Sequence, residues 1–183
     1  LPFHTPLPDK QNPEVALFSR YPILEAEQLN LPFSDRSWKT IVDLGEVNIN
    51  VIVLHLTPTR AEEVPMSQWT TRITERQIVR MEQVERVIES VRNSPEPDLV
   101  LCDCNFTEFS DAYARLDEFL DDGFARAGWG FGHTIHPVGI DIRLQRVDYV
   151  WYSSGFNAIS AKVIKDGKSD HNPLVVELDL LLE

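Results

Sequence analysis

The sequence predicts an α/β or α+β fold built around a mostly buried sheet, and three observations support this prediction. Two short runs, at residues 51–54 and 99–102, are apolar throughout, which is typical of strands covered on both faces. Between them, from about residue 70 to residue 92, apolar residues recur at helical spacing with charged residues opposite. Strand and helix patterns therefore alternate along a chain that is 43% hydrophobic, which is enough to form a core.

The remaining elements can be placed in order from apolar runs and from the turn residues between them. The prediction is a proline-rich extended leader (1–13), a short strand (15–18), a hairpin (39–44 and 48–56), a polar loop (57–68), the long helix (70–92), a strand (99–102), a shorter helix (110–120), a glycine-rich connection (123–140) and three strands (146–152, 158–164, 173–180). Gly45 marks the hairpin turn, Pro95 and Pro97 end the long helix, and Asp111 favours the start of the shorter one.

Length and charge limit the classes of function. The 183 residues suit one domain, and no apolar run reaches the roughly 18 residues that a membrane span needs. The net charge of −12 disfavours duplex DNA, because nucleic-acid binding depends on Lys and Arg contacts to phosphates. A small or lipid phosphoester remains compatible with this charge. Since the chain begins at Leu1 without a signal-peptide pattern, we expect that an N-terminal segment has been removed.

The two cysteines, Cys102 and Cys104, are separated by one residue at the end of a predicted strand. On a strand these side chains share a face, a geometry that does not favour a disulfide, so we expect two buried free thiols. Zinc is not expected because there is no further cysteine and no His pair at ligand spacing. Free thiols favour a reducing, cytoplasmic compartment; the sequence otherwise leaves the location open.

Asp103 and Asn105 follow a buried strand directly and, at i and i+2, point the same way. A carboxylate can bind Mg²⁺ or orient an attacking water, and an amide can donate to a phosphoryl oxygen. The structural alternative is an Asx turn at the strand end.

Asp170 and His171 follow a turn and precede a strand, and Asp148 lies within an otherwise apolar strand. A histidine here can act as acid or base, or hydrogen-bond a phosphoryl oxygen, provided that a carboxylate orients its other nitrogen. Asp148 is the candidate for that carboxylate, since a lone Asp in a strand is costly unless it is paired. The alternative is a purely structural Asp–His pair.

His55 and Thr134 complete the set of candidates. His55 ends an apolar strand, where it is either a second imidazole directed at a phosphate or a core histidine. Thr134 lies in the glycine-rich connection, where it either donates to a phosphate or caps a turn.

Five segments together resemble the endonuclease/exonuclease/phosphatase superfamily, which includes deoxyribonuclease I. The segments, in order, are similar to the family's Leu-Ser-Arg-Tyr-Pro, Asn-Thr-His-Leu, Gly-Asp-Phe-Asn, Arg-Ile-Asp-Tyr-Ile and Ser-Asp-His-Arg-Pro-Val motifs (15–23, 53–58, 99–113, 146–150 and 169–174). The resemblance implies a four-layer αββα sandwich and in-line attack of water on phosphorus, dependent on Mg²⁺ or Mn²⁺.

The same resemblance implies a role for each candidate. Asp103 would position or deprotonate the water, Asn105 would hold a phosphoryl oxygen, and His171 would stabilise the transition state while Asp148 orients it. Asp170 would help to bind the metal, and His55 would contact the phosphate or aid the leaving group.

Two departures from the family pattern modify these expectations. Cysteines stand where the family has Gly and Phe around the motif Asp, and the family's N-terminal strands, one of which carries the metal-binding Glu, have no counterpart before residue 15. We therefore expect residues 1–183 to form a single domain that lacks those strands, with weak metal affinity and little or no turnover. The missing strands would leave a sheet edge open to self-association. A non-catalytic binding scaffold of the same fold is the alternative to a phosphoesterase.

Overall fold

The computed structural model describes residues 1–6, 15–34, 37–135, 144–165 and 169–181. Its strands are β1 (Phe3–His4), β2 (Phe18–Ser19), β3 (Ile23–Gln28), β4 (Ser37–Asp43), β5 (Asn48–His55), β6 (Asp98–Asp103), β7 (Asp121–Asp122), β8 (Asp148–Tyr152), β9 (Phe156–Val163) and β10 (Leu174–Leu180). Its helices are α1 (Trp69–Arg92), α2 (Asp111–Asp117) and α3 (Gly123–Ala127). The α/β class predicted from the sequence is confirmed.

Six of the strands form one mixed sheet in the order β3-β4-β5-β6-β8-β7. The β4–β5 hairpin is antiparallel, β5 runs parallel to β6 through the crossover that contains α1, and β8 is antiparallel to β6. The C-terminal ends of β5 and β6 therefore meet the N-terminal end of β8 at one edge. At that edge His55 is the register partner of Asp103, and Asp103 is the partner of Asp148.

The two faces of this sheet bury two separate cores. Helices α1 and α2 cover one face, with side chains such as Ile52, Val84, Leu116 and Trp151 packed between them. The other face packs against β9 and β10, which form an antiparallel hairpin, through Val51, Tyr152 and Phe156 among others. The described residues thus supply three layers, a helical layer and two β layers, and both faces of β5 are covered as its apolar sequence predicted.

Most element bounds agree with the sequence, and the exceptions are short or exposed. The predicted strand at residues 15–18 is limited to β2, which pairs with β1. The edge strand β3 was not predicted, because its sequence Ile-Leu-Glu-Ala-Glu-Gln is largely exposed and lacks an apolar run. The connection predicted at 123–140 begins with α3, and its residues 136–140 lie outside the described part of the chain.

The cysteine prediction is wrong, because Cys102 and Cys104 form a disulfide. The prediction placed both residues on one strand, but β6 ends at Asp103, so Cys104 lies beyond the end of the strand. The two Cα atoms are 5.0 Å apart, within the range of disulfides. Both cysteines are oxidised, so they do not favour the reducing compartment expected from free thiols.

None of the helices in the described residues is both long enough and apolar enough to span a bilayer.

Candidate active site

The edge where β5, β6 and β8 meet forms the floor of a cavity of about 830 Å³. Its lining includes His55, Asp103, Asp148, Ser169 and His171. Strand pairing aligns the first three of these side chains, and the segment before β10 supplies the other two. Four of the sequence-predicted site residues therefore lie in one cavity.

Asp103 lies at the centre of this group. Its Oδ2 is 3.7 Å from His55 Nε2, and its Oδ1 is buried without a hydrogen-bond partner among the described residues. Burial, followed by the nearby negative charge of Asp148, raises the pKa of the Asp103 carboxyl, although His171 and His55 act in the opposite direction. A carboxylate with a raised pKa and an unused oxygen is well suited to accept a proton or to bind a cation.

His171 and Asp148 form a close pair, with Nδ1 of the histidine 2.8 Å from Oδ2 of the carboxylate. This bond is the main reason why the pKa of His171 is raised; burial works against it, and the charges of Asp148 and Asp103 add to it. The backbone N–H of His171 donates to Ser169 Oγ at 3.2 Å, which fixes the segment that carries the ring. Because Nδ1 is engaged, Nε2 is the ring atom left for a substrate.

Asn105 adopts the left-handed conformation just after β6, and its Nδ2 donates to Leu56 O at 3.0 Å. This contact joins the segment after β6 to the segment after β5. An amide nitrogen carries two hydrogens, so one donor remains beyond the contact with Leu56.

Asp170 stands apart from the most compact cluster of potential metal ligands. That cluster is Asp103, Asp148 and His171, whose ligand atoms all lie within 4.8 Å of one another. Asp170 is exposed, and its Oδ1 accepts from Ser169 Oγ at 3.2 Å. Although partial burial works in the opposite direction, the His171 charge and local hydrogen bonds lower the pKa of Asp170, which keeps it ionised beside the cavity.

Thr134 fits its structural alternative rather than the predicted substrate contact. It is fully buried, and its Oγ1 accepts from the backbone N–H groups of Val147 (3.2 Å) and Asp148 (3.3 Å). Its carbonyl also accepts from Asn172 N at 2.7 Å. Thr134 therefore links the start of β8 to the segment beside His171, and does not lie on the cavity surface.

A buried ion pair that the motifs did not reveal supports β8 from beneath. Arg146 donates to Oδ2 of Asp122, which is fully buried and also accepts from Tyr113 Oη at 3.0 Å. The other oxygen of Asp122 accepts from the backbone N–H groups of Phe124 and Ala125, capping α3. Arg146 belongs to the segment 146–150 that resembles the family, but its partner lies 24 residues away, and no local pattern indicates the pairing.

The cavity also includes Arg60, which sequence reasoning did not single out. Arg60 follows β5 by five residues and has a φ of 47°, a conformation that non-glycine residues rarely adopt. Strained backbone of this kind is frequent at binding sites. The left-handed backbone of Arg60 is a property of the folded chain, and a single sequence does not show it.

The cavity provides groups that phosphoester hydrolysis requires: a carboxylate able to accept a proton, a carboxylate-oriented imidazole and a second imidazole. Asn105, the predicted amide donor, follows Asp103 by two residues and is not among the lining residues of the cavity. The adjacent carboxylates of Asp103 and Asp148 repel each other, and the buried Oδ1 of Asp103 has no hydrogen-bond partner among the described residues. A divalent cation would relieve both conditions, so the donor set fits a hard metal ion.

One protein-family model matches most of the chain. The model of the Endonuclease/Exonuclease/phosphatase family matches residues 4–171. No curated protein matches the chain.

Several solved structures share the fold. Mannosyl-6-phosphatase of Bacteroides thetaiotaomicron has a TM-score of 0.65 at 17% identity, covering 87% of this chain and 67% of the other. Beta toxin of Staphylococcus aureus has a TM-score of 0.68 at 16% identity, covering 96% and 77%. The catalytic domain of human nocturnin has a TM-score of 0.63 at 16% identity, covering 88% and 60%. The chain thus spans between three fifths and about three quarters of these structures.

Proposed function

Because this chain belongs to the endonuclease/exonuclease/phosphatase family, we propose that it hydrolyses a phosphoester by direct attack of water on phosphorus. The observation that supports the proposal most strongly is the convergence of His55, Asp103, Asp148 and His171 on one cavity. These side chains come from four separate segments. Placing two carboxylates close together is unfavourable for stability because they repel each other, so their convergence favours a function in catalysis or binding.

Each group has a task that follows from its surroundings. Asp103 orients the attacking water and accepts its proton. The Asp148 carboxylate accepts from Nδ1 of His171 and favours the charged form of the ring, so that Nε2–H can donate to a phosphoryl oxygen as negative charge develops there. His55 lies on the other side of Asp103, where it can protonate the leaving oxygen.

Asn105 assists by binding rather than by proton transfer. Its left-handed backbone and its bond to Leu56 O fix the amide in place, and the remaining N–H is free to contact a phosphoryl oxygen. A neutral donor of this kind stabilises the phosphate without altering the charge of the cavity.

Asp103 and Asp148 are the residues that would hold a divalent cation, Mg²⁺ or Mn²⁺, with the ionised Asp170 at the rim as a further ligand. When bound, the cation neutralises charge on the phosphate. We expect weak affinity, because Mg²⁺ prefers six oxygen ligands and one of the two central carboxylates is engaged by His171. Turnover by this chain is expected to be correspondingly low.

We propose a small or lipid phosphoester as the substrate in preference to duplex DNA. The net charge of −12 repels a polyanion, and such repulsion matters less for a substrate with one or two charges. The relative described as a mannosyl-6-phosphatase is consistent with a small substrate.

The test compares the wild type with His171→Ala on bis(p-nitrophenyl) phosphate and p-nitrophenyl phosphate, with Mg²⁺, with Mn²⁺ and with EDTA. We expect slow, metal-dependent release of nitrophenol that falls by about 10²–10⁴-fold in the variant. His4→Ala is the matched control, because this exposed histidine lies on β1 and hydrogen-bonds only its neighbour Thr5 among the described contacts. Metal-dependent activity that is equal in wild type and His171→Ala would show that the cavity around His171 is not its source, and would contradict the proposal. Binding of phosphate without any hydrolysis would favour a binding scaffold.

A further inference from the structure

A second, smaller cavity of about 210 Å³ lies beside the proposed catalytic one and shares His55 and Arg60 with it. Its lining also includes Thr57, Glu63 and Arg76. We infer that this cavity binds a second phosphate group of the substrate, placed next to the phosphate that is hydrolysed. The inference rests on the proposed function for the identity of the first phosphate.

Positive charge is concentrated around this cavity in an otherwise acidic chain. Arg60 and Arg76 line it, and the nearby Arg80 is buried beneath the segment that follows β5. Burial and then the charge of Arg76 lower the pKa of Arg80 to about 10, so these two guanidinium groups lie close enough to repel each other. Arg76 and Arg80 thus lie beside the segment 57–60, which itself carries Arg60, whereas the chain as a whole carries a net charge of −12.

Carboxylates neutralise only part of this charge. Arg60 Nη1 lies 3.3 Å from Glu63 Oε1, and both side chains are about half exposed, so the pair is weak. Arg76 makes no ion pair within the part of the chain that the structure describes. An oxyanion beside Arg60 and Arg76 would offset the positive charge of this cavity, and arginine is the side chain best suited to bind phosphate.

The wall that carries Arg60 is held in place before any ligand binds. Gln83, fully buried on α1, accepts from Thr57 N at 3.0 Å and donates to Thr57 Oγ1 at 2.9 Å. Arg80 donates to Thr57 O at 3.1 Å and to Thr59 Oγ1 at 2.9 Å. Four hydrogen bonds from one helix thereby hold a short segment whose last residue, Arg60, is left-handed. Such a wall needs little reordering on binding.

The arrangement selects for a small molecule with two phosphates a short distance apart. His55 and Arg60 lie on the boundary between the two cavities, so a ligand that fills both must pass them. The smaller cavity, at about 210 Å³, is several times the roughly 30 Å³ that one water occupies, so a phosphate group fits inside it, and its two arginines favour an anion as the occupant.

A matched pair of chromogenic diesters tests the inference. Thymidine 5′-(p-nitrophenyl phosphate) carries one phosphate, and its 3′-phosphorylated form carries a second. For the wild type we expect kcat/KM to be at least about fivefold higher for the second compound, mainly through KM. In Arg76→Gln the ratio between the two substrates should fall toward one. Arg86→Gln, on the same helix with its partner Glu89, should leave the ratio as in the wild type.

Binding of thymidine 3′,5′-bisphosphate, measured by calorimetry, separates failure of this inference from failure of the proposed function. If the bisphosphate binds more weakly to Arg76→Gln than to wild type, the second phosphate site is supported. If no hydrolysis is then observed, only the proposed catalytic function fails. Equal binding and equal substrate ratios in wild type and Arg76→Gln would overturn the inference. Arg76→Lys, which restores the charge but not the planar donor set, should recover part of the effect.

Discussion

Each end of the β5–β6 pair carries an aspartate, and the two aspartates have different surroundings. At one end Asn50 is the register partner of Asp98, and at the other His55 is the partner of Asp103. Burial raises the pKa of both carboxyls, to about 6 for Asp98. A buried carboxylate on a strand end, or a raised pKa, therefore does not by itself identify a site.

The two ends differ in the groups that surround the aspartate carboxylate. Asp98 is 4% exposed; its Oδ1 accepts from Asn50 Nδ2, and its backbone N–H donates to Ser153 Oγ at 2.9 Å. Asp103 instead faces a second carboxylate, two imidazoles and a cavity, and keeps one oxygen without a partner among the described residues. Asp98 is therefore enclosed by neutral hydrogen-bond partners, and we call its side the closed end. Asp103 borders a cavity that a ligand can enter, and we call its side the open end.

The strongest way to sharpen this comparison is to neutralise each carboxylate in turn. Asp103→Asn should reduce hydrolysis by about 10²–10⁴-fold, because the amide cannot accept the proton of the attacking water. Asp98→Asn should change activity by less than about threefold, since Asp98 lies at the opposite end of the strand pair. Steady-state assays on bis(p-nitrophenyl) phosphate would measure both, and comparable losses in the two variants would refute the distinction.

Asp98, at the closed end, should make the free energy of unfolding depend on pH. The pKa of Asp98 is about 6 in the fold against 3.8 when unperturbed, so the protonated form is favoured in the native state. Its contribution to stability is complete below about pH 4 and is lost as the pH rises through 6, a loss of about 3 kcal/mol. Urea unfolding at pH 4 and pH 7 should show that Asp98→Asn gains this amount relative to the wild type. An unchanged difference at the two pH values would contradict the prediction.

Substituting the residue paired with each aspartate should also affect stability differently at the two ends. Asn50→Leu leaves the buried Asp98 carboxyl without its amide donor, which should cost about 1–3 kcal/mol of unfolding free energy. His55→Leu should cost less, because His55 borders a cavity that water can enter. Urea denaturation of both variants at one pH measures the contrast, and an equal loss would show that the two ends are supported alike.

The smallest effect is expected from the disulfide beside the open end. Protein refolded with dithiothreitol should lose about 1–2 kcal/mol of stability, the value expected for so short a loop. Because Asp103 lies between the two cysteines, kcat should also fall a few-fold. The double variant Cys102→Ala/Cys104→Ala is the control and should not respond to the reductant. A reductant effect of equal size in this variant would show that the disulfide is not its cause.

The sequence predicted those parts of the site that lie on single elements. Asp103, Asp148 and His55 each follow or interrupt a buried strand, so an edge of polar groups could be expected from spacing alone. The long helix and the central hairpin were likewise predictable from apolar periodicity.

The features that the sequence missed depend on contacts between distant segments. Thr134 is buried by backbone groups 13 and 14 residues away, and Asp122 pairs with Arg146 across 24 residues. The disulfide joins residues on either side of Asp103, the last residue of β6, and residue types alone do not fix where that strand ends. The arginine-lined cavity exists only because α1 lies across the segment after β5.

The parallel pairing of β5 with β6 has a consequence for how the protein reaches its native state. The two strands can join only after the chain between them, residues 56–97, has looped back across the sheet, and β8 must then add from still further along. Contacts of such wide sequence separation form slowly, whereas the β4–β5 hairpin is local. A refolding chain should therefore gain hairpin and helix signals first and recover ligand binding only in its slowest phase.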